Sequence, residues 1–417
     1  MSSPATSRRT GVWLIGARGS ISTCVAYGLA GLKQGLLEPT GIVTARAPFS
    51  DLPLVAFDDL VLGGHDVCSR DLSRSSAELV RHGILNADLV TACAAEGAAF
   101  EAAIRPGVLD QLDVGLADLD PHSARLGALP PREQIAALVA DLRAFQRAHG
   151  LQRVVVVNVA STEAHRGERD EWRSLAAFER ALDEALPQPA SILYVYAAFE
   201  AGAPFVNFTP SRGASITAMR EMARARGLPH CGNDGKTGET LVKTAIAPMF
   251  TARALRVLSW QGYNMLGNRD GAVLADALHR EAKLKNKNDA LREILDDDAV
   301  HTHVGIDFVP SLQDWKTAWD FVHFEGFLGA KMTLQFTWTG SDSALAAPLV
   351  IDLVRWADLA HERGECGEMN HTACYFKAPL GGGTHDFHAQ FSRLLAYAAD
   401  GRDRPRSTAD GGRGRDR

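Results

Sequence analysis

The chain has 417 residues, enough for two or three folding units at roughly 150 residues each. Its 46% apolar and 23% charged residues are globular values, which excludes disordered, collagen-like and coiled-coil classes. Fifty acidic against 44 basic residues give a formal charge of −6, with no basic surplus for a duplex or a membrane surface, so no nucleic-acid or membrane partner is expected.

The cysteines (Cys24, Cys68, Cys93, Cys231, Cys366, Cys374) form no C-x-x-C pair and no dense framework. They read as reduced thiols of a cytoplasmic protein. The polar N-terminus runs into an apolar stretch too short for a signal sequence, and no window approaches the roughly 18 uninterrupted apolar residues of a spanning helix.

In chain order, residues 1–10 are polar and read as mobile, and Gly11–Ile15 is the first strand. Gly16-Ala17-Arg18-Gly19-Ser20-Ile21-Ser22 and a helical run to Leu32 follow at once. Glycines between a strand and a helix let the backbone approach a pyrophosphate, and the helix N-terminus supplies N–H donors. Arg18 stands where G-x-G-x-x-G has a glycine. For the acid that usually meets the ribose, Asp58, Asp59 and Asp66 are candidates that spacing alone does not separate. Pro131–His149 and Ser174–Ala185 carry apolar residues at helical spacing, while Arg153–Asn158 and Ser191–Tyr196 are uniformly apolar, as strands buried on both faces must be. Alternation of this kind predicts an α/β, doubly wound parallel sheet.

From Cys231 the pattern changes. Gly232-Asn-Asp234-Gly-Lys236-Thr-Gly-Glu-Thr-Leu-Val-Lys243 leads from a loop into a helix near Glu239–Phe250, with a strand at Ala254–Ser259. Tyr263-Asn264-Met-Leu-Gly267-Asn268-Arg-Asp-Gly271 and the lysine-rich helical run Lys283-Leu-Lys285-Asn-Lys287-Asn288 come next. A lysine run is usually a solvated face, but glycine- and asparagine-rich turns tend to line sites for phosphates and hydroxyls. Ser311-Leu-Gln-Asp314, ahead of the apolar run Trp315–Phe327, reads as a capping box with an acid in place of Glu, and Asp314, Lys316 and Asp320 equally read as the edge of a site. Ala344–Arg363 is an apolar-faced helix suited to returning to the first sheet. The expected domains are 1–230 with 341–400, an inserted unit 231–340, and a disordered tail 401–417. His361, Glu362, Cys366, His371, Cys374, His385 and His388 match no zinc pattern, so no metal is expected. Neither a G-x-S-x-G elbow nor a P-loop is present.

Taken in register, these segments resemble the inositol-3-phosphate synthase (myo-inositol-1-phosphate synthase) family. The resemblance runs from Gly11 to about Pro379. It rests on Gly16–Ser20, Asp59–Asp66, Val157–Glu163, Glu200–Asn207, Gly232–Thr240, Tyr263–Gly271, Ser341–Asp352 and Lys377–Pro379. It implies an NAD-binding Rossmann domain made from both chain ends, an inserted α+β catalytic and tetramerisation domain, and a homotetramer. The reaction it implies is the conversion of D-glucose 6-phosphate to 1D-myo-inositol 3-phosphate without net redox change, with NAD as cofactor. Oxidation at C5 acidifies the C6 protons, the enolate closes on the C1 aldehyde, and the ketone is then reduced. Oxyanions develop at O5 and O1 in turn, and fixed ammonium groups stabilise such charge where water is excluded.

By position, the resemblance places Lys243 and Lys377 at oxyanion stabilisation and proton transfer, Lys287 and Lys236 on substrate phosphate or hydroxyls, and Asp314 as an orienting acid. It places Gly16, Ala17, Arg18, Gly19, Ser20, Ile21, Asp66, Asn158, Ser161, Thr162, Asp234, Asp342 and Ser343 against NAD. Asn264, Gly267, Asn268 and Lys283 are candidate substrate contacts. Leu241 replaces a second lysine close to Lys243 in many eukaryotic members, and Arg18 and Ile21 replace glycine or asparagine in the turn, which points to a bacterial-type branch. Cyclisation of another sugar phosphate, such as fructose 6-phosphate, is the alternative, and a non-catalytic NAD-binding protein a lesser one.

Overall fold

The computed structural model describes residues 8–109, 118–164, 167–267, 291, 293–297 and 299–402. Lys283, Lys285, Lys287, Asn268 and most of the expected tail lie outside them. Strands β1 (Thr10–Ile15), β2 (Leu60–Asp66), β3 (Ile104–Pro106), β4 (Arg153–Asn158), β5 (Phe205–Asn207) and β6 (Pro229–Gly232) form a parallel sheet with a short last strand from near the C-terminus, β11 (Gly367–Glu368). Their order is β3-β2-β1-β4-β5-β6-β11. The order reverses between β1 and β4, and in such sheets the crevice beyond those strand ends is where a dinucleotide lies.

Both faces of this sheet are covered, which is why its strands read as unbroken apolar runs. Val12 and Leu14 of β1, with Val155 and Val157 of β4, point into a core shared with helix α1 (Ser20–Lys33) and helix Asp342–Glu362. Trp13, Ile15, Val154 and Val156 point into the opposite core, with helices Pro131–His149, Ala190–Glu200 and Thr217–Arg226.

Ser191–Tyr196 is thus not a strand. It belongs to helix Ala190–Glu200, whose first ten residues are all buried. A short apolar run cannot distinguish a buried strand from a helix buried on every side. Here the run continues through Phe199, too long for a typical strand, and the strand position falls to the three residues Phe205–Asn207. Arg8, within the stretch read as mobile, pairs with buried Asp358, and the C-terminal helix Phe387–Arg402 takes in the first two residues of the expected tail.

A second sheet, ordered β10-β9-β7-β8, is built from β7 (Arg256–Leu266), β8 (His301–Phe308), β9 (Trp315–Glu325) and β10 (Lys331–Ser341). Helix Glu239–Ala252 supplies Ala247 and Phe250 to its core, against Val257, Trp260 and Val322. Trp315–Phe327 therefore does not follow a helix cap. It opens as a strand in which Lys316, Ala318, Asp320 and Val322 are buried and alternate with Trp315, Thr317, Trp319 and Phe321 on the other face. The period is two, and it overrides the capping signature.

The chain ends meet at Asp358, which is fully buried in helix Asp342–Glu362. It accepts Thr10 Oγ1 from the start of β1 (2.8 Å), Arg153 Nε from the start of β4 (2.8 Å) and Arg8 Nη2 (2.9 Å). Removing one member of a buried ionic group leaves the others desolvated and unpaired. Asp358→Ala should therefore lower the unfolding free energy by about 3–5 kcal/mol, read from the denaturant midpoint at unchanged m-value. A loss below about 1 kcal/mol would mean that this staple contributes little.

Candidate active site

The turn after β1 is closed by Gly19 N donating to Gly16 O (3.0 Å), while the Gly16 and Ala17 N–H groups both donate to His65 O at the end of β2 (2.9 and 3.1 Å). Gly16 has φ +85°, and a Cβ there would lie 2.9 Å from the Ala160 backbone. The loops after β1 and β4 thus approach to a glycine's width at the point where the strand order reverses. Gly19 is the N-cap of α1, and no side chain caps that helix. Its first N–H groups are set for an anion, Ala17 is buried beneath them, and Ser20 is exposed with Ile21 half-buried beside it. This cradle fits a pyrophosphate.

Asp66 ends β2 and accepts the Arg18 N–H (2.7 Å) and the Cys68 N–H (2.7 Å). Burial raises its pKa, against those donors. Asp58 and Asp59 lie in a single turn before β2, at the opposite end of the strand. The spacing rule could not choose because segment 34–59, mostly one-turn helices and loops, stands between α1 and β2.

Asn158 and Asn207 close β4 and β5. Asn158 Oδ1 accepts Ala160 N–H (3.1 Å), and Asn207 donates to Ser211 O (2.6 Å) and Asn233 Oδ1 (2.8 Å). Thr162 is buried and Ser161 exposed. Beyond β6 the chain clasps a distant segment: Asn233 N to Ala378 O (2.8 Å), Lys377 N to Asp234 O (2.7 Å) and Lys236 N to Tyr375 O (2.8 Å). The clasp seats Lys377 Nζ 2.8 Å from Asp234 Oδ1. Asp234 holds φ +61°.

Three residues on, Thr237 donates to Asp342 Oδ1 (2.8 Å), whose other oxygen lies 3.7 Å from Lys316 Nζ. Asp314 accepts the hydroxyls of Ser341 (2.7 Å) and Ser343 (3.1 Å). Burial raises its pKa, with the two hydroxyls opposing. On α1, burial raises the Cys24 thiol, and the Asp314 carboxylate adds to that rise. Lys316, read from the sequence with Asp314 and Asp320 as the edge of a site, lies on the same buried face of strand Trp315–Glu325 as Asp320.

Lys243 is 2% exposed, and its Nζ lies 2.5 Å from Glu239 Oε1 and 3.0 Å from Asp320 Oδ1. Trp260 Nε1 donates to the same Asp320 oxygen (2.8 Å). A Cβ at Gly262 would collide with Lys243 Nζ and stand 3.0 Å from both carboxylates, so a larger residue there would have to displace the buried ammonium from its partners. Burial opposes the Lys243 charge, but Glu239 and Asp320 outweigh it and raise its pKa. Lys236 is the converse: Nζ donates to buried Gln390 (2.7 Å), and burial lowers its pKa to about 8. Its Nζ lies over the Phe387 ring, and Lys377 adds to the lowering. Asn264 is buried on β7 with its amide toward Gly305 O (3.5 Å). At Gly267 a Cβ would press on the Leu312–Gln313 backbone, so packing accounts for that glycine.

The family model described as myo-inositol-1-phosphate synthase, an NAD-binding model, matches residues 10–398. The chain belongs to this family. It is 32% identical to inositol-3-phosphate synthase 1 of Bacteroides thetaiotaomicron, covering 93% of this chain and 92% of that one. The fold is that of the Caenorhabditis elegans inositol-3-phosphate synthase (TM-score 0.83, 23% identity, 97% of this chain and 88% of that one). It also matches a myo-inositol-1-phosphate synthase-related protein of Thermotoga maritima (TM-score 0.73, 23% identity, 94% and 99%). The molecule is an NAD-dependent enzyme, α/β in class, whose Rossmann domain draws on both ends of the chain, and the family's reaction is the cyclisation of D-glucose 6-phosphate. Among the described residues no helix is long and apolar enough to cross a membrane.

Lys243→Met should leave Glu239 and Asp320 facing each other in a buried site, destabilising the fold at neutral pH by about 3–5 kcal/mol. Without the ammonium both carboxylates take raised folded pKa values, so the native state binds more protons than the unfolded chain and regains stability as pH falls toward the carboxylate range. Denaturant titrations of both proteins at pH 8 and pH 5 should show the gap narrowing at pH 5. A gap independent of pH would refute this account of the triad.

Proposed function

We propose that this site cyclises D-glucose 6-phosphate to 1D-myo-inositol 3-phosphate with Lys377 and Lys316 facing the substrate and Lys243 positioned beneath them. The observation that carries the reading is the clasp of 232–236 with 375–380, which sets an ammonium at the C-terminal edge of the parallel sheet beside the nucleotide crevice. Bound NAD supplies the hydride acceptor for C5 and the hydride donor that completes the cycle.

In this reading the Gly16–Gly19 turn and the first N–H groups of α1 hold the pyrophosphate, and Asp66 the ribose. Asn158, Ser161 and Thr162 border the crevice from β4, with Ser343 approaching from the start of helix Asp342–Glu362. Lys377, part-exposed and held by Asp234, stabilises oxyanion charge as the C6 proton leaves and the ring closes. Lys316, held by Asp342, takes the second oxyanion, and Asp314 orients Ser341 and Ser343. Lys236, Lys283, Lys287, Asn264 and Asn268 remain candidates for the phosphate and hydroxyls. The division into 1–230 with 341–400 and 231–340 belongs to the same proposal, as does a cytoplasmic location.

Incubation with NAD⁺ and glucose 6-phosphate should give a cyclitol phosphate identifiable by NMR, whereas fructose 6-phosphate should not. Product from fructose 6-phosphate alone would establish the alternative substrate. Lys377→Ala should cut kcat by about 10²-fold or more with NAD⁺ still bound, which a non-catalytic NAD-binding protein would not show.

The homotetramer is supported by the uncovered face of the second sheet. Tyr263 and Trp319 stack there with centroids 6.0 Å apart, both more than a third exposed, with Met265 beside them. Paired aromatics left open on a sheet face suit a second copy of the same face. Light scattering should give a four-chain mass, and Trp319→Glu should reduce it; an unchanged mass would place the interface elsewhere.

A further inference from the structure

Arg18 is the residue of the phosphate turn that departs from a glycine pattern, and its side chain has a defined destination. Nη1 donates to the Cys68 carbonyl (2.7 Å), two residues beyond Asp66. Nε (3.1 Å) and Nη2 (2.5 Å) both donate to Glu101 Oε1. Glu101 is itself fixed, because its other oxygen accepts the Leu72 N–H (2.8 Å) at the start of helix Leu72–Arg81. The Arg18 carbonyl is tied down by Ser75 Oγ (2.7 Å). The guanidinium is part-buried, 18% exposed, and among the described residues it pairs directly with Glu101, with Asp66 and Asp120 acting on it at longer range.

The end of the second strand is where a Rossmann fold reads the adenosine ribose. A carboxylate there accepts the 2′-hydroxyl, and an arginine nearby accommodates a 2′-phosphate. This chain places both groups at that point. Asp66 is the carboxylate, bound through the backbone of the residue whose guanidinium is the arginine. What separates the two outcomes is the partner of Arg18: while Glu101 holds Nε and Nη2, the fork that would grip a phosphate is already occupied by a carboxylate of similar geometry.

We propose that Glu101 is a specificity-determining residue, which keeps the site selective for the cofactor with a free 2′-hydroxyl by holding the Arg18 guanidinium away from a 2′-phosphate. The inference rests on the NAD-binding reading of the turn. Specificity is a difference of affinities, and here the discriminating element is an occupied cation together with the repulsion of Asp66 and Glu101.

The test is calorimetric binding of NAD⁺ and NADP⁺, without substrate, to the full chain. The wild type should prefer NAD⁺. Glu101→Gln, which keeps a hydrogen-bonding shape but removes the charge, should narrow the preference by about tenfold, the effect of one interaction of modest strength, through tighter NADP⁺ binding. Adding Arg18→Met to that variant should abolish the gain. Should Glu101→Gln fail to fold, Arg18→Met alone serves, since it leaves Glu101 unpaired at the ribose end and should weaken NADP⁺ more than NAD⁺. An unchanged NAD⁺/NADP⁺ ratio in Glu101→Gln, or a gain that survives loss of Arg18, overturns the proposal. A wild type that binds neither nucleotide overturns the reading of the turn itself, and with it this proposal.

Discussion

The active site depends on one backbone clasp. Residues 232–236, just past β6, and residues 375–380, brought back by the long helix Asp342–Glu362, exchange main-chain hydrogen bonds in both directions. Main-chain bonds fix registry without regard to side chain, so Asp234 and Lys377 meet because the ladder puts them there, 143 residues apart in sequence. The same clasp anchors the point at which the chain leaves the parallel sheet for helix Glu239–Ala252. Thr237, in the loop just before that helix, meets Asp342, and the helix itself carries Lys243 to Asp320. The cofactor-binding sheet and the lysine-bearing sheet are joined through this short segment and the start of helix Asp342–Glu362.

The electrostatics follow from that joining. The sequence suggests a local excess of lysine awaiting an anionic sugar phosphate, yet each lysine of the described site except Lys236 is met by a carboxylate: Lys377 by Asp234, Lys316 by Asp342, Lys243 by Glu239 and Asp320. A lysine held by a single carboxylate, part-exposed as Lys377 is, can exchange partners with an oxyanion at small cost, whereas one buried between two carboxylates cannot. Exposure and partner number thus sort lysines that are indistinguishable as letters.

Much of the fold was legible because buried parallel strands and amphipathic helices have different periods. Thr10–Ile15, Arg153–Asn158, Pro131–His149 and the long helix from Asp342 follow from their patterns alone. Ser191–Tyr196 failed because burial on all sides erases the period, and Trp315–Glu325 because a serine and an aspartate three apart imitate a cap. The nucleotide turn was readable as a strand, glycine and helix in succession, but the choice of Asp66 over Asp58 and Asp59 needed to know which end of β2 each occupies. Spacing cannot say that once an irregular segment intervenes. No sequence rule pairs Asp234 with Lys377, since the pairing is a property of the clasp.

Lys236 and Lys243 show how far environment governs chemistry in so short a stretch. Seven residues apart, both buried and both lysine, they are driven in opposite directions. Lys236, set against a glutamine and an aromatic ring, loses affinity for its proton to about 8, while Lys243, between two carboxylates, holds its proton more tightly than a free lysine. A group that must give and take a proton near neutrality needs the first kind of environment, and a group that must remain a fixed positive charge needs the second. Lys243 therefore suits a permanent charge that holds Asp320 and Glu239 in place under β7. Lys236 has the lowered proton affinity of the first kind, with its Nζ held by Gln390 on helix Phe387–Arg402.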